Sequence, residues 1–156
     1  ILDGSMNTHV LLEEEIKMTK DYLELESLRF GDRFEYSIEI EDDIDPAGIE
    51  VPMLFVQPFV ENAIIHGLLL KEEGERLLKI KFETREGLLV CTVEDNGIGR
   101  EQSSKIKSKS YKKKSHGIEV TSQRFGNNDS VEIIDLKDDE GKSKGTKVVL
   151  KVPLVI

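Results

Sequence analysis

Asn62 and His66 stand four residues apart in Gln57-Pro58-Phe59-Val60-Glu61-Asn62-Ala63-Ile64-Ile65-His66-Gly67, a stretch that reads as a helix of the interior. At that spacing they share a helical face, and Phe59 belongs to it too. A carboxamide and an imidazole thus project from an otherwise apolar surface. A donor, an acceptor and a metal-capable oxygen placed there cost stability unless something binds them. On these residues alone two readings stay open: hydrogen-bonded core side chains, or ligands for a bound group.

The second group is Glu94-Asp95-Asn96-Gly97-Ile98-Gly99, which comes after the apolar run Leu88-Leu89-Val90-Cys91-Thr92-Val93. A strand that is apolar on both faces and ends this way leaves Asp95 pointing inward at the mouth of the core. The glycines let the backbone turn sharply and approach a ligand. Asn-Gly is also the strongest short-range hairpin signal, so a plain turn is the competing reading. Against it, no second strand comes after Gly99. The chain continues instead into a polar stretch from Arg100 to Lys114, where Arg100, Lys105, Lys107, Lys109, Lys112, Lys113 and Lys114 face only Glu101.

That loop carries a local charge of +6 in a chain of formal net charge −9, which leaves −15 for the rest. An acidic protein with one concentrated basic loop lacks the broad positive face that coats nucleic acid; a compact polyanion suits it better. The loop has few apolar residues to bury, so it is expected to order only with ligand, the alternative being a solvated loop without a role. Ser115-His116-Gly117-Ile118-Glu119-Val120 then opens a helix running to about Phe125, with Ser115 in capping position and the Gly117 amide accessible to an anion.

The elements that must position these groups emerge from the alternation of polar and apolar residues. Leu12, Ile16 and Leu23 with Met18, Tyr22 and Leu25 give the first helix a broad apolar stripe. Val131–Leu136 and Val148–Leu154 are further strands, joined by a turn-rich linker that ends in Gly145-Thr146. The order helix, strand, helix, strand, strand, loop, helix, strand, strand predicts an α/β (α+β) two-layer sandwich, a mixed, mainly antiparallel sheet covered on one face by helices. At 156 residues and 38% hydrophobic content the chain can build a full core, and no apolar run is long enough to span a bilayer. Cys91 is the only cysteine, which excludes an internal disulfide or thiolate metal site. Lys71 to Glu75 and Lys137 to Lys144 read as solvated connections.

Taken in order, Glu61-Asn62-Ala63-x-x-His66-Gly67, Asp95-Asn96-Gly97-Ile98-Gly99, Ser115-His116-Gly117-Ile118 and Gly145-Thr146 resemble the ATP-binding module of sensor histidine kinases. That module has the Bergerat fold, shared with DNA gyrase, the mismatch-repair ATPase and a heat-shock chaperone. Gln57 to Ala63 and Asp21-Tyr22-Leu23-Glu24-Leu25-Glu26-x-x-Arg29-Phe30-Gly31 resemble the LytS-type branch in particular.

The resemblance implies ATP and Mg2+ as cofactors. Asp95 would accept from the exocyclic amine of adenine, with Gly97 and Gly99 starting a lid against the nucleotide. Asn62 would be the magnesium ligand, Glu61 the acid that supports the metal or its water, and His66 would face the phosphates. Gly117 and its helix would hold phosphate, beside His116 and the lid residues Lys112 and Lys113. Thr146 resembles the hydroxyl that orders a water near adenine. The chain departs from the common pattern at Ile65, where many members carry lysine or arginine, and at Ser115, where glycine is usual. Arg124 matches an arginine frequent in the branch, in a structural or a phosphate-binding role.

None of His9, His66 and His116 stands in a phosphoacceptor context. The resemblance therefore implies an acceptor on a dimerisation hairpin preceding Ile1, with 1–30 as linker and helix and 31–156 as the catalytic domain, its lid at about 97–116. The implied partners are that hairpin and a cognate response regulator, in a homodimeric, membrane-bound bacterial sensor whose cytoplasmic part this is. No nucleic acid and no direct membrane contact are expected. A stand-alone ATPase of the same fold and a nucleotide-binding module without kinase activity are the alternatives.

Overall fold

Strict alternation of buried and half-buried residues along Leu88–Asp95 identifies the strand around which the sheet is built. The computed structural model describes residues 9–29, 34–100 and 130–154. Within them the elements are β1 (His9–Leu11), α1 (Leu12–Arg29), β2 (Glu35–Ile40), β3 (Glu50–Pro52), α2 (Gln57–Asn62), a π segment (Ala63–Leu68), β4 (Leu77–Arg85), β5 (Leu88–Asp95), β6 (Ser130–Lys137) and β7 (Ser143–Pro153). The main sheet has the order β2-β4-β5-β7-β6; β2 runs parallel to β4 and every other pair is antiparallel.

The register lines up side chains in rows across this sheet. Ile38, Ile80, Val93, Val148 and Ile133 form one row; Ile40, Phe82, Cys91, Leu150 and Val131 form the next. These rows meet the buried residues of α1, α2 and the π segment in one core. At the end of the sheet the row changes character to Tyr36, Leu78, Asp95, Thr146 and Asp135. The predicted two-layer α/β architecture is therefore observed. The hairpin of this region joins β4 to β5 through Glu86 and Gly87, both with positive φ as a two-residue turn requires. The plain-hairpin reading of Asn96-Gly97 is not what the structure shows.

Two features were not legible in the sequence. β1 and β3 pair as a small antiparallel ribbon, because three-residue strands carry too few alternations to signal themselves. The stripe of α1 also differs from the prediction. Its buried side consists of Leu12, Glu15, Ile16, Thr19, Leu23 and Glu26, Tyr22 packs at its border, and Met18 and Leu25 are exposed. The packed face keeps the 3.6-residue period and includes two carboxylates, so apolarity was a poor guide to it. The basic loop from 101 to 114 with Lys112 and Lys113, the helix of Ser115 to Phe125 with His116, Gly117 and Arg124, and Phe30 lie outside the described residues.

Candidate functional site

The site is built where α2, the π segment, the end of β5 and the start of β7 converge. Pro58 suits the first turn of α2, where its missing N–H is not needed. Past Asn62 the helix widens into the π segment; such segments are frequent at functional sites. Glu61, Asn62 and His66 are half-buried on this helical run, and Ile65 is exposed.

Asp95 ends the central strand and is buried, only 5% exposed. Its Oδ1 accepts from the Gly97 N–H at 2.8 Å, and the Thr146 backbone N–H also donates to the carboxylate. Burial pushes its pKa up to about 6, against the lowering effect of those two N–H groups; nearby Glu94 raises it and Lys71 lowers it. The glycines around it answer to contact. A Cβ on Gly67 would stand 2.9 Å from Asp95 Oδ1, one on Gly97 would collide with the Gly67 backbone, and one on Gly145 with the Asp95 carbonyl. The Ile98 N–H donates to the Gly67 carbonyl at 3.3 Å, so the π segment and the 96–98 turn are in direct backbone contact. Gly99 has φ +88°, and a side chain there would run into Ser143.

Asp95, Gly97, Gly99 and the Thr146 backbone are thus brought together, with Gly67 of the π segment against them. Glu61, Asn62 and His66 lie on the helical run that leads into that contact. Lys112, Lys113, His116 and Gly117 are outside the described residues.

Three groups near the site went unread in the sequence. Lys71, assigned there to a solvated connection, donates through Nζ to the carbonyls of Glu75 (2.8 Å) and Asn96 (3.0 Å). Arg76 donates through Nε to the Leu68 carbonyl at 3.0 Å and through Nη2 to that of Lys71. A cation that closes the last carbonyl of a helix, as Arg76 does at Leu68, is a general device, and its position shortly after an apolar helix was the available signal. Asn96 fastens the turn to β4, accepting from the Leu77 N–H at 2.8 Å and donating to the Glu75 carbonyl at 3.1 Å. Arg100, counted in the sequence with the basic loop, grips Asp135 of β6 in a two-pronged pair, both contacts at 2.8 Å. Its charge is thus answered within the fold.

No family model matches the chain. Its fold is that of histidine kinase catalytic domains. The catalytic domain of histidine kinase ThkA superposes with a TM-score of 0.63 at 14% identity, covering 94% of this chain and 95% of that one. The mycobacterial sensor histidine kinase MprB gives 0.60 at 12% identity, covering 95% and 97%. In sequence, part of the chain is homologous to LytS and other sensor histidine kinases. The sensor protein LytS of Staphylococcus saprophyticus is 35% identical over 98 residues, 63% of this chain and 16% of that protein. The sensor histidine kinase/phosphatase LytS of Staphylococcus aureus is 32% identical over 99 residues, 63% and 16%; the sensor histidine kinase YesM of Bacillus subtilis is 33% identical over 92 residues, 58% and 15%. The matched stretch is thus about a sixth of these relatives' length. Among the described residues no helix is long and apolar enough to cross a membrane.

Proposed function

We propose that this chain is the ATP-binding catalytic domain of a LytS-type sensor histidine kinase and transfers the γ-phosphate of ATP to a histidine on a dimerisation hairpin that precedes it. Residues 1–30 lead from the hairpin and 31–156 form the catalytic domain, with a lid at about 97–116. The observation that carries the reading is the buried Asp95 carboxylate, wedged between Gly67 and the Gly97 and Thr146 N–H groups at the end of the central strand. A carboxylate fixed there accepts from an amino group and repels a carbonyl, which selects adenine over guanine. The Thr146 hydroxyl orders a water beside the base.

Asn62 supplies one neutral oxygen to magnesium and Glu61 steadies the metal's water. Among the described residues no three His, Cys, Asp or Glu side chains cluster as a metal cage. One amide oxygen fits an ion that keeps several waters and takes its other ligands from phosphate oxygens; when bound, that ion neutralises charge on the phosphates. His66, His116, Gly117, Lys112 and Lys113 face the triphosphate. Phosphoryl transfer depends on such positioning and charge neutralisation, with little covalent help from the protein. The partners are the hairpin, a cognate response regulator and a second copy of the full-length protein, in a membrane-bound sensor whose cytoplasmic part this is. Exposed Ile65 favours a second reading, a nucleotide-binding module without kinase activity.

Supplying the chain with ATP labelled at the γ-phosphate, with and without a separate LytS-type hairpin, decides between them. The first reading expects acid-labile label on the hairpin and none on His9, His66 or His116 of this chain. Tight ATP binding with no transfer to the hairpin would establish the second.

A further inference from the structure

Glu15 of α1 is the most deeply buried charged side chain among the described residues, at 1% exposed. Its Oε1 accepts from the Leu54 N–H at 3.0 Å and its Oε2 from the Val56 N–H at 3.2 Å. The N–H groups of Gln57 and Phe55 add to the same stabilisation, and the carboxylate's charge reaches the Cys91 thiol on β5. Glu15 therefore sits between α1, the start of α2 and the central strand.

Burying a carboxylate costs solvation that an apolar residue on the same stripe would not lose. The carboxylate can hold four successive N–H groups of another segment, and an apolar residue cannot. α2 needs such a hold. Val56, at its N-cap, makes no side-chain capping bond, Leu54 before it has the unfavourable φ of 61°, and only six residues of regular helix precede the π segment. The start of α2, the element leading to Glu61, Asn62 and His66, is therefore hydrogen-bonded to α1 through the Glu15 carboxylate, in addition to the core they share. Further along, burial raises the pKa of the Tyr22 phenol on α1, and the charges of Glu26 and then Glu61 of α2 add to that rise.

We propose that Glu15 is a positioning residue for the nucleotide site: its carboxylate locks α2 to α1, so that a displacement of α1 moves the metal- and phosphate-facing side chains relative to the Asp95 pocket on the sheet. The inference rests on Asn62 being a metal ligand and Asp95 the adenine acceptor.

The test is Glu15→Gln, which keeps the shape and turns an NH2 toward one of the two N–H donors. Calorimetric titration well below the melting temperature measures ATP with magnesium, and separately adenosine, which engages only the Asp95 end. The expected result is a loss of roughly ten- to a hundredfold in Mg–ATP affinity, the range seen when a group that orients a metal ligand is removed, with adenosine affinity unchanged. Unchanged Mg–ATP affinity, or equal weakening of both ligands, overturns the inference. A wild-type chain that binds neither ligand overturns the site reading itself. Should Glu15→Gln fail to fold, amide exchange of the wild-type chain decides. The Leu54 and Val56 amides must open together with those of Phe59 and Val60, and exchange of the first two at the rate of an open turn overturns the lock.

Discussion

Asp95 sits where water is nearly excluded, which raises the cost of its charge and would sharpen the choice of base proposed for it. Asp95→Asn is expected to abolish the preference for adenine over guanine nucleotides, because the amide offers a donor where the carboxylate offered only acceptors. Titration of both nucleotides against the variant reads this directly, and a retained preference removes Asp95 from the role. Asn62→Ala separates two kinds of residue. As a metal ligand it should lose the magnesium dependence of ATP binding with a near-normal melting temperature; as a core carboxamide its loss would cost roughly 1–3 kcal/mol and leave that dependence intact. At this scale Asp95, Gly97 and Gly99 were legible because their constraint is local, a strand end followed by glycines that permit close backbone approach. Glu15, Lys71 and Arg76 were not, because each is defined by carbonyls or N–H groups that only the folded chain brings near.

Between elements, the π segment and the turn after β5 meet backbone to backbone. Gly97→Ala drives a methyl group into the Gly67 backbone, where neither side can yield, and should cost roughly 1–3 kcal/mol of unfolding free energy, read by denaturant titration as a lower midpoint at unchanged slope. Gly48→Ala is the control. Its added methyl would stand 3.2 Å from the end of the exposed Asp45 side chain, which can move aside, so stability should change little. The Arg100–Asp135 pair is half exposed on both sides, and Asp135→Asn should lower stability by less than about 1 kcal/mol. Strands β6 and β7 could be read from alternation and β5 from its apolar run, while β4 entered only through the order of elements. The π segment could not, since its apolar residues suit an α-helix equally well, and the packed face of α1 was misjudged because Glu15 and Glu26 lie within it.

For the molecule as a whole, pH should act in two opposed windows. A carboxyl whose folded pKa is raised contributes stability that is complete below its unfolded value and is lost as pH rises through the folded one; for Asp95 that span runs from 3.8 to about 6, and Glu15 is shifted in the same direction by burial. Asp135, lowered by Arg100, and Asp138, lowered by the Lys142 N–H, behave oppositely, with stability present above their unfolded values and lost in stronger acid. The ligand-free chain should therefore melt at a higher temperature near pH 5 than at pH 7 and lose stability again below about pH 4. Asp95→Asn should flatten the first change, while ATP binding should weaken across the same interval as the carboxyl takes up its proton. A melting temperature that falls steadily from pH 7 downward would contradict the raised pKa of Asp95. The Arg100–Asp135 clasp also bears on chain length. β5 ends at Asp95 and β6 begins at Ser130, and the clasp ties Arg100, a few residues past the end of β5, to Asp135 of β6. Closing a longer excursion between tied ends costs only about 0.6 kcal/mol per doubling of its length. Between ends held in this way the length of sequence from 101 to 129 can change at little cost in closure entropy, while Asp95 and the glycines packed around it keep their places.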